Sequence, residues 1–109
     1  MPSRVIEDTA EVMADRAYHV RDVVAYALSA DVRFNANYEG MRLALRIAEA
    51  CGEKGARGPL SVDEGDWEAL CNALRTPQPI AGRTAYMLAP AHAAVALVDQ
   101  VLNAKRPEP

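Results

Sequence analysis

Between Ile6 and Ala27 the apolar residues keep a single rhythm, since Ile6, Ala10, Met13, Ala17, Val20, Val24 and Ala27 follow one another by alternating steps of four and three. That spacing returns to one face of an α-helix and is the a/d pattern along which helices pack. It predicts one amphipathic helix over about residues 5–30, with Asp15–His19 as the point at which it would divide in two. Val5, Val12 and Val23 widen its apolar surface beyond what one neighbour needs. The expectation is self-association, with Ile6, Met13, Ala17, Val20, Val24 and Ala27 as the protein interface and Met13 and Val20 near its centre. The alternative is that this seam packs inside its own monomer.

The rest of the chain is punctuated for further helices. Asn35 or Asn37 is placed to cap a second one, which runs to about Cys51 and meets Gly52, a residue able to take the left-handed conformation that ends helices. In it Phe34, Tyr38, Met41, Leu45 and Ala48 form an apolar stripe. Glu39, Arg42, Arg46, Glu49 and Glu53 form a charged one, a ladder of opposite partners worth about 0.2–0.5 kcal/mol per pair on a solvated face. A flexible loop is expected over residues 52–60, "GEKGARGPL".

Ser61 and Glu64 have the spacing of a capping box and predict the start of a third helix. Asp63, Glu64, Asp66 and Glu68 suit its positive end and Arg75 its negative end, while Trp67, Leu70, Cys71 and Leu74 share the face to be buried. Thr76-Pro77-Gln78-Pro79 stops it. Beyond "TPQPIAG" a fourth helical region, nearly free of polar residues from Tyr86 to Asp99, offers Ala91, Ala94, Val95, Val98, Val101 and Leu102 to a core, and Pro90 marks either a kink or a new start. No segment shows the period-2 alternation of a β-strand. These readings give an all-α fold, a compact bundle of four to five helices with a long N-terminal amphipathic helix. One domain spans 1–109, with residues 1–4 and 104–109 frayed.

Half of the 109 residues are hydrophobic, enough to bury roughly two-thirds of the unfolded surface in one domain. No apolar run approaches the ~20 residues that span a bilayer. The opening "MPSRVIEDTAEVMADR" is too acidic and interrupted for a signal peptide, so no membrane partner and a cytoplasmic location are expected. A net charge of -3 argues against non-specific nucleic-acid binding. Cys51 and Cys71 lack zinc or redox spacing and read as buried free thiols. His19 and His92 belong to no ligand motif, Ser3, Ser29 and Ser61 lie outside any nucleophile elbow, and the glycines form no phosphate loop. No catalytic residue, cofactor or metal ligand is therefore assigned. Two rivals keep a residue basis. An enzyme would use His19 with Asp15 and Asp22, one helical turn to either side, and a nucleic-acid-binding regulator would use the third helix and "GRTAYML" as a helix-turn-helix, reading through Arg83, Thr84 and Tyr86. The carboxylates of the third helix oppose the second.

Three blocks, "VRDVVAYAL" at 20–28, "GPLSVDEGDWEAL" at 58–70 and "PIAGRTAYML" at 79–88, resemble a pattern found in small helical accessory proteins of tailed bacteriophages and prophages. The likeness covers roughly residues 20–88, while the apparently helical N-terminus and the Ala/Val-rich C-terminal helix depart from it. It implies a phage or prophage origin and an accessory role, and it brings no active-site residue. The expected function is non-catalytic protein–protein interaction, in assembly or host modulation, with the chain itself and an unidentified protein as partners.

Overall fold

The computed structural model describes residues 3–13, 15–52, 57–80, 82 and 91–105, and it is mixed α/β. Strands β1 (Ser3–Ile6), β2 (Ala10–Met13) and β3 (Arg16–His19) precede helix α1 (Val20–Ala30). A single 3-10 turn (Val32–Phe34) leads to α2 (Tyr38–Cys51), followed by β4 (Leu60–Asp63), α3 (Glu64–Arg75) and α4 (Ala91–Leu102). The all-α bundle expected from the sequence is thus overturned, and so is the long N-terminal helix, of which only the part from Val20 onward is helical.

What replaces that helix is backbone pairing that periodicity cannot register. β2 and β3 form an antiparallel hairpin, Ala10 opposite His19 and Met13 opposite Arg16. Its turn includes Asp15 at φ 65, a left-handed conformation that Asp tolerates better than most residues and that tight hairpins require. β1 finds its partner far along the chain in β4, with Ile6 opposite Leu60 and Ser3 opposite Asp63. On the other side of β1 the Val5 N–H donates to the Lys105 carbonyl at 2.8 Å. Ser3 and Arg4, like Ala104 and Lys105, were expected to fray, yet they are held here, and Ala104 is buried.

Ser61 is likewise a strand residue, opposite Val5, rather than a cap. α3 begins from Asp63 with no side-chain cap, and Glu64 turns instead to Arg4, which donates to both its carboxylate oxygens at 2.7 and 2.8 Å. The Arg4 guanidinium stacks 4.1 Å from the Trp67 ring centroid and donates to the Ala104 carbonyl, while the Trp67 indole N–H donates to Val101 at 2.8 Å. Glu64 holds the Arg4 proton more tightly than usual. One side chain so joins β1, α3 and the end of α4.

The helices pack around that frame. Leu70, Cys71 and Leu74 of α3 are buried and Trp67 is partly so, which is the face the sequence indicated. Val20, Val23, Val24 and Ala27 of α1 meet Leu97, Val98 and Val101 of α4 in the same core, with Ile6, Leu60, Phe34 and Ile47. Within α4, Ala91 and Val95 are exposed, so the inward face is rotated toward Ala93 and Leu97 from the one expected. Pro90 lies outside the described residues, as do Glu53, Arg83, Thr84 and Tyr86.

Candidate functional site: a groove between α1 and α2

The start of α2 is fixed by Asn37, whose side-chain oxygen accepts from the Gly40 N–H at 2.8 Å. Gly40 itself is obligatory in packing terms, because a Cβ there would run into the backbone carbonyl of Arg33. At the far end Gly52, at φ 75, returns its N–H to Ala48 and Glu49 and closes the helix. Both ends were legible in the sequence. The face was not.

α2 buries Gly40, Ile47 and Cys51, flanked by partly buried Leu43, Ala44 and Ala50. The apolar stripe named from the sequence faces outward: Tyr38 is 72% exposed, Met41 58% and Leu45 50%, and Ala48 is exposed beside them. Of that stripe only Phe34, just before the helix, is buried. The reason is that α2 has two apolar faces at helical spacing. The one carrying Gly40, Ala44, Ile47 and Cys51 allows the closer approach, because Gly40 has no side chain where the 3-10 turn passes. The charged stripe also behaves differently from a ladder. Arg46 pairs with Asp66 of α3, at 3.1 Å, and this contact raises its pKa; no ion pair within the stripe forms among the described residues.

Beside the exposed stripe lies an open groove of about 530 Å³. Ala25 and Leu28 of α1, Phe34 beneath, and Met41, Leu45 and Ala48 of α2 give it apolar walls. Arg21, Asp22, Ser29, Asn35 and Arg57 add polar groups to its lining. Arg21 is itself a structural clamp. Almost fully buried, it lies 3.6 Å from Asp8 and donates to the carbonyls of Cys51 and Gly58, while Asp8 accepts from the Gly58 N–H at 3.3 Å. The end of α2, the following loop and the β1–β2 connection are thereby tied together.

Of the two thiols, Cys51 lines the groove and Cys71 lies on α3. Burial pushes the Cys51 thiol up against the opposing pull of Arg21, and burial pushes Cys71 up to about 11, so neither is a thiolate near neutral pH. Among the described residues no group of three potential metal ligands occurs. His19 stands at the start of α1 with Nδ1 buried and without a hydrogen-bond partner, and Asp15 sits in the hairpin turn. The helical spacing that would have brought Asp15 and His19 together is absent, because β3 occupies residues 16–19.

The six residues expected to form an interface are dispersed. Ile6 in β1 and Val20, Val24 and Ala27 in α1 are core residues, Ala17 in β3 is exposed, and the Met13 side chain lies outside the described residues. They share no surface seam. Among the described residues no helix is long and apolar enough to cross a membrane. No protein-family model, curated protein or solved structure matches the chain.

Proposed function

We propose that the chain is a non-catalytic protein-interaction module that works as a homo-oligomer, and that its docking face is the outer side of α2 with the adjoining groove. The observation that carries this is the contiguous exposure of Tyr38, Met41, Leu45 and Ala48 along the lip of an apolar cleft. Exposed hydrophobic residues scattered singly need no explanation, but these four are neighbours on one helix face, and a contiguous apolar patch is often functional. The flexible, polarizable Met41 suits a surface that adapts to a partner. Resemblance of the blocks at 20–28, 58–70 and 79–88 to phage and prophage accessory proteins supports an assembly or host-modulating role in the bacterial cytoplasm.

A photo-crosslinking residue placed at Leu45 in cells expressing the chain tests the docking face. Protein adducts are expected there and not from the same residue at Glu68, which is exposed on α3. Equal adduct yield at both positions, or none at either, rejects the reading.

A further inference from the structure

We draw no further inference here: the strongest candidate, the exposed apolar face of α2 with the groove between α1 and α2 beside it, carries none, because nothing in the structure shows what covers it.

Discussion

Arg21 shows how much of the local architecture rests on one side chain. It is buried with Asp8, and it satisfies the Cys51 and Gly58 carbonyls at a place where a loop would otherwise leave them open. Arg21→Ala should destabilise by about 3–5 kcal/mol, since it strands the Asp8 charge as well as two carbonyls. Urea denaturation reads this, and the double variant with Asp8→Ala should cost less than the sum of the singles. Cys71 makes a different prediction. Its thiol titrates near 9.0 in an open chain and is pushed up to about 11 by burial, against the weaker pull of Arg75 and Arg4. Between those values the unfolded chain has lost a proton that the folded one keeps. Stability should therefore fall as pH rises from about 9 to about 11, by at most about 1.4 kcal/mol per pH unit from this group. Thermal melts of the parent and of Cys71→Ala across that window check it: the variant should lack this share of the slope, and parallel slopes would mean the thiol is not protected.

At the scale of elements, α2 combines local and non-local control. Asn37 and Gly52 set its ends through contacts within a few residues, so Asn37→Ala should cost about 0.5–2 kcal/mol. Gly40→Ala places a methyl against the Arg33 carbonyl and should cost about 1–3 kcal/mol, although alanine is the better helix former. A Gly40→Ala protein as stable as the parent in chemical denaturation would show that the 3-10 turn yields easily. Leu45→Ala, on the exposed stripe, should change monomer stability by no more than about 0.5 kcal/mol. The candidate site was half legible: the stripe Tyr38, Met41, Leu45 and Ala48 could be read as one apolar face, but a second face at the same spacing competed for the core. Helical periodicity ranks neither. Shape at the contact decided, and it favoured the face with Gly40 and Ala44.

For the whole molecule the feature of most consequence is that β1 is paired on both sides, by β4 and by Lys105, so the two ends of the described chain close on each other. Removing residues 104–109 should lower stability by about 1–3 kcal/mol, from the Val5 hydrogen bond and the burial of Ala104. An unchanged melting temperature would return that segment to the frayed tail its composition suggests. By itself the sequence determined what neighbours decide: the cap and stop of α2, the inward face of α3, the breaker after Arg75 and the burial of both cysteines. Only the tertiary structure decided that β1, β2 and β3 are strands, because β1 owes its conformation to partners some sixty and a hundred positions away and β2 and β3 owe theirs to each other. A spacing of fours and threes cannot reveal such pairing. Tertiary packing also decided that Ser61 pairs rather than caps and that α2 turns Tyr38, Met41 and Leu45 to solvent, since both depend on which surfaces arrive opposite them.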